Sequence, residues 1–239
     1  MQILLKGLNE ERSVKRCISD FIDEPFAERI LVVDGGSTDY TVQELKRFPK
    51  VEVFVHPWID SYHGMECSQS NIGLSYIPEN SLVVILDFDE RFSGELKEYL
   101  NTLDESTIPT GCAGHFSRKT YEVLRYENSP HAILDDDGWP ILANAIGQYP
   151  DYQNRLLRKT YKMHWINSPH HVMIGHDSVL NIQKDIIHYQ KDDLRDRERI
   201  EKRWARAQAR RTELGLSADV FETQIKPEIA EFYSPEGWK

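Results

Sequence analysis

No stretch of this sequence approaches the ~20 apolar residues that a membrane-spanning helix needs, and its opening MQILLKGLNEERS has too short an apolar run for a secretory signal. Cysteine is scarce. Cys17, Cys67 and Cys112 lie far apart and form no CxxC pair, so a disulfide framework is excluded and a reducing compartment is expected. A surplus of positive charge is also missing. The chain carries 29 Lys and Arg against 39 Asp and Glu, a formal net charge of −10. Duplex nucleic acid, whose phosphates need a basic face, is therefore excluded as a partner. Internal repeats, low-complexity segments and linker-like stretches are absent too. These absences point to a cytoplasmic protein without a transmembrane segment.

What is present is enough for one sizeable core: 239 residues, 40% of them hydrophobic. The first hundred residues alternate between strand and helix patterns. QILLKGL (Gln2–Leu8), RILVVD (Arg29–Asp34), VEVFVH (Val51–His56) and SLVVILD (Ser81–Asp87) read as strands, the second of them buried. Val14, Cys17, Ile18, Phe21 and Ile22 recur at helical spacing, as do Val42, Leu45 and Phe48, the latter after a capping Asp39. Further helices are expected over Ser61–Ile77 and Gly94–Leu103. This alternation predicts an α/β fold, a Rossmann-like parallel sheet with helices on both faces.

The second half reads as a mixed sheet. Strands are expected over Gly111–Tyr126, Tyr152–Arg158, His171–Ile174 and Asp185–Tyr189, with a polar loop over Glu127–Pro150. Residues 1–191 then form one domain. The segment 192–239 is a charged helix, Asp192–Leu214, followed by a tail. Arginines in that helix alternate with Asp196, Glu198 and Glu201, which suits a solvated face with i,i+4 pairs and leaves peripheral membrane contact as a minor role.

In open α/β sheets, ligands bind beyond the carboxyl ends of the strands. Three polar clusters fall there: Leu8-Asn9-Glu10 after the first strand, Asp34-Gly35-Gly36-Ser37 after the second, and Asp87-Phe88-Asp89-Glu90 after the fourth. Asp34 can accept a hydrogen bond from an N–H or hydroxyl of a base or ribose, and the two glycines let the backbone approach a ligand closely. Asp87 and Asp89, two apart on a strand, would point the same way. Their charges call for a divalent cation, a hard ion that takes oxygen ligands. Each cluster alone also has a plain reading, as an acidic strand end, a turn or a helix start.

The runs LNEERSV, VVDGGSTDYT, SQSNIGL and LDFDE, in this order and spacing, resemble the family 2 inverting glycosyltransferases with the GT-A fold. DYQNRLLRK (Asp151–Lys159), then Trp165, Pro169-His170-His171 and Ile187-His188-Tyr189, are similar to the subset that includes lipopolysaccharide core enzymes. The chain departs from that subset at His171, where glutamate is expected, and at Ser68 and Gln69, where a basic helix motif is expected.

The resemblance implies a donor half over 1–105 and an acceptor half over 106–191. It implies a nucleotide sugar donor, a UDP-sugar by default, and a glycan or other hydroxyl acceptor. Leu8, Asn9, Glu10, Asp34, Gly35 and Asn71 would line the donor site. Asp87 and Asp89 would hold Mn²⁺ or Mg²⁺ on the diphosphate, with His188 as a third ligand, since imidazole suits manganese better than magnesium. Arg155 and Arg158 would offset diphosphate charge. The catalytic base would be Asp151, with His170 the second candidate.

Two other classes compete. A sugar nucleotidyltransferase would place a glycine-rich basic loop after the first strand, where this chain has LNEERS. A degenerate nucleotide- or glycan-binding module would be favoured by loss of Asp87 or Asp89, and both are present.

Overall fold

The computed structural model describes residues 1–58, 65–122, 133–134, 140–142, 146–166 and 172–190, with the isolated helical positions 205, 209 and 212. Its N-terminal elements alternate as the apolar pattern predicts. They are β1 (Gln2–Gly7), α1 (Glu11–Ser19), β2 (Arg29–Asp34), α2 (Thr41–Leu45), β3 (Val51–Val55), α3 (Met65–Ser75) and β4 (Leu82–Asp87). Then come β5 (Glu90–Phe92), α4 (Gly94–Thr102) and β6 (Cys112–Glu122). The remaining strands are β7 (Ile133–Leu134), β8 (Pro140–Leu142), β9 (Ile146–Arg158), β10 (His164–Ile166), β11 (Val172–Ile174) and β12 (Ser178–Gln190).

Eight strands form one sheet in the order β3-β2-β1-β4-β9-β6-β12-β5. The first four are parallel, β9 runs antiparallel to β4 and β6, β12 is parallel to β6, and β5 is antiparallel to β12. Central parallel strands are covered on both faces, which is why β2 and β4 read as unbroken apolar runs and β1 as a run interrupted only at Lys6.

Alternate residues feed two cores. Ile3, Leu5, Ile30, Val32, Val84 and Leu86 pack on one face with α1, α2 and α4, through Val14, Ile18, Leu45, Leu96 and Leu100. Leu4, Leu31, Val33, Val83 and Ile85 pack on the other with Cys67 and Leu74 of α3 and with Trp165 and Met173 of the β10–β11 hairpin.

The sheet cannot be flat. Four interstrand spacings, about 19 Å, would separate β4 from β5 in a flat sheet. Only Phe88 and Asp89 join them, and three Cα steps span at most about 11 Å. The sheet therefore curls, bringing its last strands back over the carboxyl end of β4.

The structure differs from the sequence expectations mainly in the second half. The Glu127–Pro150 loop contains β7, β8 and the start of β9, which runs on from Ile146 through Pro150. The strand expected at Asp185–Tyr189 begins at Ser178, and a register shift between Ile182 and Asp185 hides its alternation. Strands β5 and β10 were not expected; each has three residues, too few to carry a period. Of the expected helix Asp192–Leu214, only Ala205, Ala209 and Thr212 are described, and all three are helical.

Candidate donor-binding and catalytic site

The ends of β1, β2 and β3 are laced together. Gly35 N donates to Gly7 O (2.8 Å), His56 N to Asp34 O (2.9 Å) and Trp58 N to Gly35 O (2.9 Å). Asp34 is almost wholly buried. Its Oδ2 accepts from Gly36 N (2.9 Å) and Ser37 N (2.8 Å), and its Oδ1 accepts from Ser37 Oγ (2.5 Å). The turn puts Gly36 at φ +88°, in the left-handed region that glycine enters without penalty. Asn9 binds the same turn: its N–H donates to Ser37 Oγ (2.8 Å) and its Oδ1 accepts from Thr38 N (2.8 Å). Glu10 N donates to Thr41 Oγ1 (2.7 Å), so the starts of α1 and α2 are tied as well. Leu8 is half-buried, Asn9 exposed, and Gly35 buried under the Trp58 indole.

The β4 turn is built differently. The strand stops at Asp87, and Asp89 lies in the turn, so the two aspartates do not share a strand. Phe88 lies against Gly7, where an added Cβ would stand 2.6 Å from the ring. A side chain at position 7 would therefore push the turn out of place.

Asp87 Oδ1 forms an ion pair with Lys6 Nζ, and Oδ2 accepts from Arg155 Nη2 (3.0 Å). Glu90 Oε1 accepts from the same Arg155 nitrogen (2.5 Å), and Oε2 accepts from Asp87 N (3.0 Å). Arg118 donates through Nε (3.0 Å) and Nη2 (2.7 Å) to Asp151 Oδ2, and its Nη1 stands 4.0 Å from Glu90 Oε1. Asp151 Oδ1 accepts from Gln153 Nε2 (2.7 Å). His188 Nε2 lies 3.6 Å from Asp89 Oδ2, and Nδ1 lies 3.3 Å from Thr120 Oγ1.

The charges settle accordingly. Burial pushes the Asp87 carboxyl up, but Lys6 and Arg155 outweigh it and hold the group well below the usual carboxylate range. Burial dominates at Glu90 and raises it, against the pull of Arg155. At His188, burial favours the neutral ring, yet the Asp89 carboxylate outweighs it and raises the pKa.

Asp87, Asp89, Asp151, Arg155 and His188 thus come together in one cluster. Arg158 does not join it: its partner across the sheet is Leu82, at the opposite end of β4, and its guanidinium binds Glu105 O (3.1 Å). The Asn71 side chain is engaged with the backbone. Its amide clamps the backbone of Trp165, accepting from the N–H (2.7 Å) and donating to the carbonyl (2.9 Å), which fastens α3 to the β10–β11 hairpin. His170 lies outside the described residues.

Sequence reasoning missed Lys6, Arg118 and the role of Glu90. Lys6 left a signal, as the one charge inside the apolar run QILLKGL, and Glu90 adjoins the Asp-x-Asp. Arg118 left none.

Among the described residues, no three His, Cys, Asp or Glu side chains gather as a protein-only metal cage would require. At Asp87 the residues do not fit a cation, because both oxygens already face Lys6 and Arg155. At Asp89 and His188 they do: an oxygen and a nitrogen donor face each other on partly exposed side chains. Two protein ligands suffice for an ion that keeps waters and shares a ligand's phosphates.

No curated protein matches the chain. Among solved structures it is similar to S. aureus TarS 1-349, at 21% identity over 51% of this chain and 35% of that one, with a TM-score of 0.37. It is also similar to the mannosyltransferase PcManGT from Pyrobaculum calidifontis in complex with GDP-Man and Mn²⁺, at 18% identity over 48% and 34%, with a TM-score of 0.38. The chain thus spans about a third of the length of these structures. The profile described as Glycosyl transferase family 2 matches residues 5–185. With that match across most of its length, and with a curled, largely parallel sheet of the GT-A type, the chain belongs to glycosyl transferase family 2.

Proposed function

We propose that this chain is an enzyme that transfers a sugar from a nucleoside-diphosphate sugar to an acceptor hydroxyl, with inversion and with a divalent cation. The observation that carries the reading is the cluster at the carboxyl end of β4. There the partly exposed Asp87, Asp89 and His188 adjoin Asp151, in a chain of family 2. UDP is the default nucleotide, and the acceptor is a glycan or another hydroxyl compound.

Inversion is a single displacement at the anomeric carbon. It needs a proton acceptor on the side of the incoming hydroxyl and charge compensation on the side of the departing diphosphate. Asp151 supplies the first. Arg118 holds its Oδ2 twice, so Oδ1, which among the described residues carries only the Gln153 amide, is the atom that takes the proton. A cation held by Asp89 and His188 would supply the second, as a Lewis acid on the diphosphate. The imidazole favours Mn²⁺ over Mg²⁺. Asp87, kept ionised by Lys6 and Arg155, accepts hydrogen bonds from donor hydroxyls. The Asp34 turn and Asn9 shape the floor under the nucleoside.

A panel of nucleotide sugars and nucleoside diphosphates, with Mn²⁺ or Mg²⁺, tests this by thermal shift and by hydrolysis. Ligand at 100 times its Kd should stabilise the protein by about 2.7 kcal/mol. If no member of the panel shifts the melting temperature or is hydrolysed, the proposal fails.

A further inference from the structure

We infer that Glu90 is the positioning residue of this site, a buried carboxylate that holds the Asp87 turn and Arg155 in one arrangement and faces the arginine that holds Asp151. The inference rests on the proposed function for the nature of the ligand.

Glu90 differs from its neighbours in exposure. Its side chain is 0% exposed, against 34% for Asp87 and 33% for Asp89. No ligand reaches it, so it acts through other groups. It does so with both oxygens. Oε2 accepts from the Asp87 N–H (3.0 Å), which closes the turn that carries Asp89. Oε1 accepts from Arg155 Nη2 (2.5 Å), the nitrogen that also holds Asp87 Oδ2 (3.0 Å). Arg118, bound to Asp151, points its third nitrogen at Oε1 from 4.0 Å. One side chain thereby meets groups from β4, β6 and β9 while its backbone pairs with β12 opposite His188.

The charge itself is needed. A glutamine of the same shape has one oxygen and one N–H₂ group. Whichever way the amide turns, an N–H faces either the Asp87 N–H or the Arg155 guanidinium. Arg155 then loses the carboxylate that fixes it, and Asp87 loses a fixed partner. A merely structural ion pair would lower stability on breakage but leave the folded site's affinity alone.

The test is calorimetric titration of the full chain with UDP and Mn²⁺, in wild type, Glu90→Gln, Arg155→Lys and the double variant, beside thermal melting of each. Each single variant should melt cooperatively and bind UDP about tenfold more weakly, and the double variant should lose little more than either single, because the two side chains act as one unit. Unchanged UDP affinity in Glu90→Gln, with or without a lower melting temperature, overturns the inference. So do single losses that multiply in the double variant. If Glu90→Gln does not fold, Arg155→Lys decides by the same affinity criterion. If the wild type binds no nucleoside diphosphate, the proposed function fails separately. Amide exchange in Glu90→Ala then decides this inference: faster exchange at Asp87 and Asp89 with Leu4 still protected supports it, and unchanged exchange overturns it.

Discussion

The turns after β2 and after β4 both end a buried parallel strand in an aspartate, yet they are held in opposite ways. Asp34 takes its hydrogen bonds from Gly36 and Ser37, two and three residues away, and all are neutral donors. Asp87 takes its partners from Lys6 and Arg155, 81 and 68 residues away, and both are ions. The first turn is fixed by local chain geometry. The second exists only once β1, β5 and β9 have met. The carboxyl end of this sheet thus combines a locally built turn with a charged wall assembled from distant strands, and the wall is where both halves of the chain contribute.

The largest effect belongs to Asp89→Asn, which should abolish the Mn²⁺-dependent part of UDP binding while stability stays within about 0.5 kcal/mol, as for a substitution at an accessible turn. Calorimetry with and without Mn²⁺ measures it, and an undiminished Mn²⁺ effect would move the cation away from the β4 turn. Next, Asp151→Asn should cut turnover about 10²–10⁴-fold, the usual contribution of a general base, and spare donor affinity. Near-normal turnover there, with loss in His170→Ala, would make the histidine the base.

Stability sharpens the contrast between the two turns. Arg155→Met strands the buried Glu90 and should cost about 3–5 kcal/mol in urea unfolding. Asp34→Ala strands only neutral donors and should cost about 1–3 kcal/mol. A larger loss at Asp34 would mean that the local turn is the keystone.

The smallest effect concerns Asp185, outside the cluster, where Ser117 Oγ (2.5 Å) and Lys119 Nζ (2.8 Å) meet the carboxylate. Burial raises this group, but its hydrogen bonds outweigh that and lower its pKa. A depressed folded value contributes stability above the ordinary carboxyl range that is lost as pH falls through the depressed value. Asp185→Asn should therefore melt slightly below wild type at neutral pH, and the gap should close on acidification. A constant gap would show that the charge contributes nothing.

The same contrast explains what was legible in the sequence. β2 was read with its observed bounds, Arg29–Asp34, because a doubly covered parallel strand is a continuous apolar run with a polar stop. The three strand-end clusters were legible for the same reason. The ion pairs of Asp87 were not, since nothing at position 87 announces residues 6 and 155. Arg158 illustrates the cost. It shares a motif with Arg155, yet three residues along a strand place it at the other end of β4, bound to Glu105. Nor does the motif around Asn71 announce that its amide mimics a β-bridge to Trp165.

The two-residue link between β4 and β5 also sets an order of events. A ribosome that has delivered about the first hundred residues has released β1 to β5 in sequence, but not β12, with which β5 pairs, nor the arginine that Glu90 holds. Closing a contact between Glu90 and His188 is a long-range step, and such steps come late because chain entropy opposes them. The doubly covered strands can fold early as a scaffold, whereas the charged wall is finished last. In pulse-labelled refolding, amides of β1 and β2 should gain protection before those of β5, and simultaneous protection would refute this order.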